Sequence, residues 1–98
     1  MNKENVLQNL GLCKKANKLV SGEELVLAKI KTKKASLVFL ASDAGKNTTK
    51  RITDKSKFYG VLVINEFNTT ELNTAIGTEN RKVIAITNKN FSRMFTSN

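Results

Sequence analysis

Two glycine-led segments of this sequence hold the residues best suited to binding an anion. The first is Ser21-Gly22-Glu23-Glu24. It has the pattern of a capping box, in which the Ser21 and Glu24 side chains each accept a hydrogen bond from the other's backbone N–H at a helix start. Helix N-termini carry unsatisfied N–H groups and partial positive charge, and Gly22 has no Cβ to hold another backbone away. We therefore predict a ligand-binding helix start at Gly22, Glu23 and Glu24.

The second segment is a loop that enters the last predicted strand, Gly77-Thr78-Glu79-Asn80-Arg81. The guanidinium of Arg81 is a fork of donors that matches a phosphate or the O6 and N7 acceptors of guanine. If folding brings this loop beside Gly22, the two segments form one recognition edge. We expect that edge to be flanked by Lys29, Lys33 and Lys34. Each loop taken alone also fits an ordinary turn.

Catalytic chemistry has few candidate groups in this sequence. There is no histidine, and the only adjacent carboxylates are those of the predicted capping box, so no nucleophile has an evident base and orienting group. Residues 43–46 resemble part of a phosphate loop, but its earlier glycine would fall at Leu40 and its hydroxyl at Asn47. Cys13 is the single cysteine and lies on an apolar helix face, where a buried, inert thiol is expected. We predict a protein without catalysis, metal or cofactor.

The hydrophobic pattern predicts helices alternating with short strands. Helices are expected over 3–16, from the capping box to about Lys31, over 47–59, from about 70 to 76 and around 91–95, and strands over 19–20, 36–41, 61–64 and 83–86. The continuous apolar runs at 36–41 and 61–64 are typical of strands buried on both faces. The chain is therefore predicted to be one α/β domain over residues 1–98, a three-layer α/β/α sandwich with a mixed sheet of about four strands.

Several side chains are given specific places by this pattern. In the helix at 47–59, Ile52 and Phe58 are expected to face inward. Thr69 or Thr70 is expected to cap the next helix, and Asn88 the last one. Asp43 follows a buried strand and is expected to be a helix cap or a hydrogen-bond acceptor at the strand end.

The charge is strongly positive and unevenly distributed. The net charge is +9, and residues 1–57 carry 13 Lys and Arg against 5 Asp and Glu, whereas residues 58–98 carry 4 against 3. An asymmetric basic surface attracts polyanions, because each phosphate contact releases condensed counterions. A solvated, lysine-rich surface that aids solubility is the simpler reading of the same charge. Nucleic acid is the partner that we predict.

A membrane partner and a secreted location are not indicated. No apolar run approaches the roughly 20 residues of a membrane span. The start Met1-Asn2-Lys3-Glu4 lacks the basic stretch and apolar block of a secretory signal. One cysteine excludes an internal disulfide. We expect a soluble, cytoplasmic protein.

The order of elements and four short motifs carry a family likeness. The motifs are Ser21-Gly22-Glu23-Glu24, Ala41-Ser42-Asp43-Ala44, Leu72-Asn73-Thr74-Ala75-Ile76-Gly77 and Val83-Ile84-Ala85-Ile86. With them, residues 10–95 resemble the ribosomal protein superfamily of L-seven-Ae and L-thirty-e, and within it the short bacterial YlxQ-type members. The resemblance implies the same sandwich fold. It also implies binding of kink-turn RNA, a sharply bent helix with tandem sheared G·A pairs.

The family signature at the second helix is Gly-x-Asn-Glu, with a lysine three residues later. Gly22 matches it here. Glu24, Leu25 and Ala28 stand where the family has asparagine, glutamate and lysine, and Lys29 follows one position on. Most of the family's base-reading side chains are therefore replaced in this chain.

The family's second motif is Leu-Gly-x-Ala-x-Gly. Leu72, Ala75 and Gly77 are kept, and Asn73 stands in place of the first glycine. The loop that follows is polar over residues 78–81, whereas it is partly apolar in the family.

The resemblance implies a non-catalytic, monomeric protein associated with ribosomal or other structured RNA. The Gly22 helix start and the 77–81 loop are expected to grip the bent RNA, and the capping box to turn the Glu24 carboxylate away from phosphate. Phosphate contacts are expected from Lys18, Lys29, Lys33 and Lys34. Two alternatives stay open: a module that binds protein, and a detached RNA-substrate-binding domain that works with a separate catalytic partner.

Overall fold

The computed structural model describes residues 2–96, over which five helices alternate with four short strands. The elements are α1 (Lys3–Lys15), β1 (Leu19–Ser21), α2 (Glu23–Lys31), β2 (Leu37–Leu40), α3 (Lys46–Tyr59), β3 (Val63–Ile64), α4 (Thr69–Ile76), β4 (Val83–Ile86) and α5 (Lys89–Thr96). Their order follows the predicted one, because the short apolar runs and the helical spacing of apolar residues decide both.

Strand β4 lies inside the sheet, whose order is β1-β4-β2-β3. It pairs antiparallel with β1 and with β2, while β3 pairs parallel with β2. Strands β1, β2 and β3 therefore begin at one end of the sheet, where β4 ends, and they finish at the other end, where β4 begins.

We name the two ends of the sheet after the residues found there. The Gly22 end holds Gly22 and the loops 41–45, 65–68 and 77–82. The lysine end holds the loops 16–18, 32–36, 60–62 and 87–88, which include Lys18, Lys33 and Lys34.

Side chains along β2 alternate between two cores, as expected of a strand covered on both faces. Leu37 and Phe39 pack with α1 and α4, whereas Val38 and Leu40 pack with α2 and α3. Helix α5 packs on the same face of the sheet as α1 and α4, since the Phe95 ring lies 5.1 Å from the Phe39 ring in a T-shaped contact. The predicted three-layer α/β/α sandwich with a mixed four-stranded sheet is confirmed.

The predicted capping box at Ser21 and Glu24 is wrong. Ser21 belongs to β1 and pairs with Ile84, so its backbone is extended in the sheet and not placed at a helix cap. Gly22 is the N-cap residue of α2, and no side chain in the described part of the chain makes a capping hydrogen bond there. The strand runs straight into the helix through one glycine, which leaves no room for a capping serine.

The capping box that does occur opens α4. The Asn68 Oδ1 accepts from the Glu71 N–H at 2.9 Å, and the Glu71 Oε1 accepts from the Asn68 N–H at 3.0 Å. The prediction that Thr69 or Thr70 caps this helix is therefore wrong. The predicted cap of α5 is confirmed, because the Asn88 Oδ1 accepts from the N–H three residues on at 3.1 Å.

The inward stripe of α3 runs through Ile52, Ser56 and Tyr59, which recur at helical spacing. Ile52 is buried as predicted. Phe58 falls beside this stripe and is 78% exposed, so the prediction that it faces the core is wrong. Its ring packs edge-on against Tyr59, with 4.9 Å between the ring centroids.

Strand β3 is shorter and less buried than predicted. It spans only Val63–Ile64, both half-buried, and Leu62 before it is 57% exposed. The strand lies at the edge of the sheet, and within residues 2–96 it pairs with β2 alone. An edge strand has fewer side chains packed around it than a central one, so the prediction of a fully buried strand over 61–64 is wrong.

No helix within residues 2–96 combines the length and the apolar composition needed to cross a bilayer.

Candidate nucleic-acid interface

The strand pairing brings the two glycine-led segments together. Gly22 follows β1 and Arg81 lies shortly before β4, and these two strands are neighbours. The Gly22 N–H donates to the Val83 carbonyl at 2.9 Å. A Cβ added to Gly22 would lie 2.7 Å from Nη1 of Arg81. The helix start and the 77–81 loop are therefore in contact and form a single edge.

Gly22 is needed at this position for two reasons. Its φ of 99° lies in the left-handed region that L side chains rarely adopt. A side chain there would also displace the Arg81 guanidinium. The backbone conformation and the nearby guanidinium therefore both require glycine at this position.

We expect Gly22→Ala to lower the free energy of unfolding by about 1–3 kcal/mol, because the backbone at φ 99° and ψ 145° is strained for any residue with a Cβ. Affinity for structured RNA falls as well, because the methyl group moves the guanidinium. Thermal unfolding and filter binding measure the two effects. Gly45→Ala is the matched control, since Gly45 has φ −61° and an added Cβ there meets nothing within 4 Å. Unchanged RNA affinity in Gly22→Ala would show that the placement of the guanidinium is unimportant.

A buried amide holds the 77–81 loop in place. Asn73 is 6% exposed, and its Nδ2 donates to the Thr69 carbonyl at 2.7 Å and to the Arg81 carbonyl at 2.8 Å. Its Oδ1 accepts from the Arg81 N–H at 2.9 Å and from the Thr78 hydroxyl at 2.7 Å. Both donors and both lone pairs of the amide are used. Asn73 therefore fixes the backbone on which the Arg81 side chain stands.

Helix α3 supplies partners for the two carboxylates at the start of α2 and offsets part of their charge. The Glu23 Oε1 accepts from the Thr48 hydroxyl at 2.6 Å, and its Oε2 accepts from Nη1 of Arg51. Nη2 of the same guanidinium lies 3.5 Å from the Glu24 Oε1. The prediction that a capping box turns the Glu24 carboxylate away is wrong, and Arg51 compensates its charge in another way.

The residues Thr48 and Arg51 were missed by reasoning from the sequence. Their spacing of three places both side chains on one face of α3. That helix begins at the Gly22 end of the sheet, but only the strand order shows that its first turns lie against α2.

Replacing Arg51 by alanine is expected to leave stability within about 1 kcal/mol of wild type, because the ion pair is half exposed. RNA affinity is expected to fall about three- to tenfold at low salt, since two uncompensated carboxylates then face the phosphates. The double variant Arg51→Ala with Glu23→Gln tests the reason by titration with RNA. It recovers affinity if repulsion is the cause, and no recovery would mean that Arg51 itself contacts RNA.

Asp43 is a hydrogen-bond acceptor at the end of β2, as predicted. Its Oδ1 accepts from the Thr69 hydroxyl at 2.7 Å and from the Thr69 N–H at 2.9 Å. These bonds, the hydroxyl foremost, lower the pKa of the Asp43 carboxyl. The Lys82 Nζ also donates to the Thr69 hydroxyl oxygen at 3.0 Å. The contacts join the loop after β2 to the start of α4.

The four predicted phosphate-binding lysines lie at the other end of the sheet. The Lys18 carbonyl accepts from the Thr87 N–H beyond the end of β4. Lys33 and Lys34 follow the C-terminus of α2, a helix of nine residues and so about 13 Å long. Lys29 lines a cleft together with these two. The prediction that Lys29, Lys33 and Lys34 flank the Gly22 edge is therefore wrong, because the two ends of α2 point to opposite ends of the sheet.

The structure thus divides the predicted site into two groups. The Gly22 end brings together Gly22, Glu23, Glu24, Gly77, Thr78, Glu79, Asn80 and Arg81, and the lysine end holds Lys18, Lys29, Lys33 and Lys34.

Other chemistry finds little support in the part of the chain that the structure describes. Within residues 2–96, no three His, Cys, Asp or Glu side chains cluster closely enough to hold a metal ion. Cys13 is fully buried as predicted, and burial raises the pKa of its thiol. A thiol of this kind is unreactive.

The fold, the Gly22 edge and the short sequence motifs all agree with the ribosomal-protein resemblance, and sequence comparison gives the family. The chain belongs to the Ribosomal protein L7Ae/L30e/S12e/Gadd45 family, which matches residues 4–96. It is 39% identical over 92 residues to the RNA-binding protein YlxQ of Enterococcus faecium, covering 94% of this chain and 88% of that protein. It is 41% identical over 88 residues to the RNA-binding protein YlxQ of Bacillus subtilis strain 168, covering 90% and 88%. The resemblance inferred from the motifs is confirmed, and these names describe non-enzymatic proteins.

Solved structures show the same architecture. A protein with unknown function from Bacillus halodurans C superposes with a TM-score of 0.85 at 39% identity, covering 89% of this chain and 88% of that one. The Giardia lamblia 15.5kD RNA binding protein superposes with a TM-score of 0.82 at 18% identity, covering 96% and 83%. At such low identity the second likeness shows the fold alone.

Proposed function

We propose that this chain binds structured, kink-turn-like RNA without catalysis, through the edge formed by the start of α2 and the 77–81 loop. The contact between Gly22 and Arg81 is the observation that carries the proposal. It places a helix N-terminus and an arginine fork side by side, in a family whose name is that of ribosomal proteins and whose curated relatives are named RNA-binding proteins.

The start of α2 offers backbone donors to an anion. Among residues 2–96 no side chain caps this helix, so its first N–H groups are available to a ligand. Glu23 and Glu24 would oppose a phosphate there, but Arg51 lies against both carboxylates. Arg51 therefore reduces the repulsion that the two acidic residues would exert on a phosphate at the helix start.

Arg81 supplies the side-chain recognition. It is exposed, and within residues 2–96 its guanidinium forms no ion pair. Sheared G·A pairs turn guanine O6 and N7 acceptors toward a widened groove, where a guanidinium fork can bond to both. Because Glu24 and Leu25 stand where the family has its base-reading asparagine and glutamate, we assign base recognition in this chain mainly to Arg81.

Titration with a kink-turn RNA and with a straight duplex of equal length tests the function. Tighter binding of the bent RNA is expected, since the edge is shaped for a helix start and a loop to enter one groove. Equal binding of both RNAs would favour the detached substrate-binding domain, which needs charge and not shape. Binding to neither RNA at low salt would favour the protein-interaction module.

The setting of the function is part of the same proposal. We place the chain in the cytoplasm, as a monomer associated with ribosomal RNA, on the strength of the family's ribosomal members. Sedimentation with ribosomes at low salt and light scattering of the purified protein test the association and the monomeric state.

A further inference from the structure

The two ends of the sheet carry very different charge. Segments at the Gly22 end (2–6, 21–24, 41–51, 65–71 and 77–82) contain six cationic and seven acidic residues. Segments at the lysine end (14–18, 29–36, 55–62 and 87–93) contain eleven Lys and Arg and no Asp or Glu. The remaining acidic residue is Asp54, which pairs with Lys50 on α3. The whole positive excess of the chain therefore lies away from the proposed RNA edge.

The cations at the lysine end surround two adjoining clefts of about 490 and 380 Å³. Lys33, Ser36 and Lys89 line both clefts. Lys29 and Lys34 complete one of them and Arg93 the other. The Ser36 hydroxyl lies on the floor, where it bonds to the Ile86 carbonyl and to Ser92. Ammonium and guanidinium groups at the rims of these clefts suit the oxygens of a phosphate backbone.

Two of these lysines stand against local structural preference. Lys33 has φ 62° in the turn after α2, a conformation that favours glycine. Gly60 and Gly77 occupy the corresponding turns after α3 and α4 with φ 70° and 71°. Lys89 is the first residue of α5, where a cation opposes the helix dipole. Lys33 lies just beyond the C-terminus of α2, where a cation complements the helix dipole, but its left-handed backbone favours glycine. Lys89 has no such dipole explanation, and both residues line the same clefts.

We propose that the lysine end is a second RNA-binding surface, which holds the phosphate backbone of a separate RNA segment. This inference rests on the proposed function, since RNA held at the Gly22 end is what brings further RNA near. The molecule measures 28 × 25 × 23 Å, so the two surfaces face different segments. The chain thus joins a bent RNA, recognised by shape, to a second stretch recognised by charge.

The double variant Lys33→Gly with Lys89→Ala tests the surface. On a straight duplex, the slope of log K against log salt is expected to flatten by about 0.7–0.9 for each phosphate group that the variant no longer binds, and affinity at 0.1 M salt to fall about five- to eightfold per phosphate. The single variant Lys33→Gly is expected to raise the melting temperature while weakening RNA binding. A side chain that serves only the fold would not give opposite changes in stability and binding.

A capture experiment tests the joining of two segments. Kink-turn RNA is immobilised, the protein is bound below saturation, and a labelled straight duplex is added. Wild type is expected to retain the duplex, and the double variant to lose it while still preferring the kink-turn RNA in solution. The inference is overturned if the double variant has the same salt slope as wild type or captures the duplex equally well. It is also overturned if the double variant binds RNA normally and loses affinity only for vesicles of phosphatidylserine.

The two proposals fail in distinguishable ways. If wild type binds both RNAs equally and the double variant binds neither, the kink-turn function is wrong and the lysine surface stands. If wild type prefers kink-turn RNA but never captures the duplex, the function stands and the second surface is wrong.

Discussion

Alanine at position 81 is expected to lower the affinity for kink-turn RNA about ten- to a hundredfold. A bidentate arginine contact to a base edge contributes about 1–3 kcal/mol, and Arg81 is the exposed guanidinium in contact with Gly22. The melting temperature should stay close to that of wild type, because this side chain forms no ion pair within residues 2–96. Filter binding at fixed salt and thermal unfolding measure both quantities.

The variant Arg81→Lys separates the contribution of the two-pronged guanidinium geometry from that of the positive charge. A lysine keeps the positive charge but cannot bond to two acceptors in one plane, so it should recover only part of the affinity. The straight duplex is the second control, because on that RNA Arg81→Ala should lose no more than one phosphate contact. An equal reduction on both RNAs would reduce Arg81 to a general phosphate contact and would end its role in base recognition.

Replacing Asn73 by alanine is expected to lower the free energy of unfolding by about 2–4 kcal/mol. The change removes four hydrogen bonds and leaves the N–H and carbonyl of Arg81 without their partner, and each unsatisfied buried group costs about 1–3 kcal/mol. The 77–81 loop loses its fixed position, so RNA affinity falls as well. Urea unfolding and RNA titration follow the two effects.

Two further variants control this result. Asn47→Ala changes the same residue type at an exposed position on α3 and should alter stability by less than about 0.5 kcal/mol. Asn73→Asp keeps the oxygen that accepts from Arg81 and Thr78 but sets a second carboxylate oxygen against the Thr69 and Arg81 carbonyls in a buried site, so its stability should be no higher than that of the alanine variant. Wild-type stability in Asn73→Ala would mean that water replaces the amide without cost.

The sheet and its layers were predictable because each central strand is marked by its own residues. The apolar runs in β2 and β4 are fully buried on both faces, and few other arrangements accommodate such strands. Strand β3 shows the limit of this reasoning, since an equally apolar run can also lie at a sheet edge. Burial depends on the neighbours of a strand, which its own sequence does not specify.

Local signals failed where a tertiary contact competed with them. Ser21 and Glu24 have the spacing of a capping box, but β4 pairs with Ser21 as a strand residue. Phe58 is apolar but lies one position away from the inward stripe of α3. The residue type suggested a role in both cases. The pairing with β4 overrode it at Ser21, and the position around the helix axis overrode it at Phe58.

The site was predictable in its glycines and not in its supporting residues. Gly22 and the 77–81 loop stand out because helix starts and glycine turns are marked in sequence. Asn73 and Arg51 act through partners that the chain brings near only after folding. The lysines were assigned to the wrong end, because proximity in sequence to Gly22 does not show which way α2 runs along the sheet.

Concentration of positive charge at one end gives the molecule a permanent electric dipole directed along the strands. A polyanion exerts a torque on such a body during diffusion, so early encounters occur with the positive pole leading. The shape-reading edge then faces away from the first RNA that the protein meets. Association should therefore begin with weak, salt-sensitive attachment, followed by a slower search in which the free edge samples nearby bends.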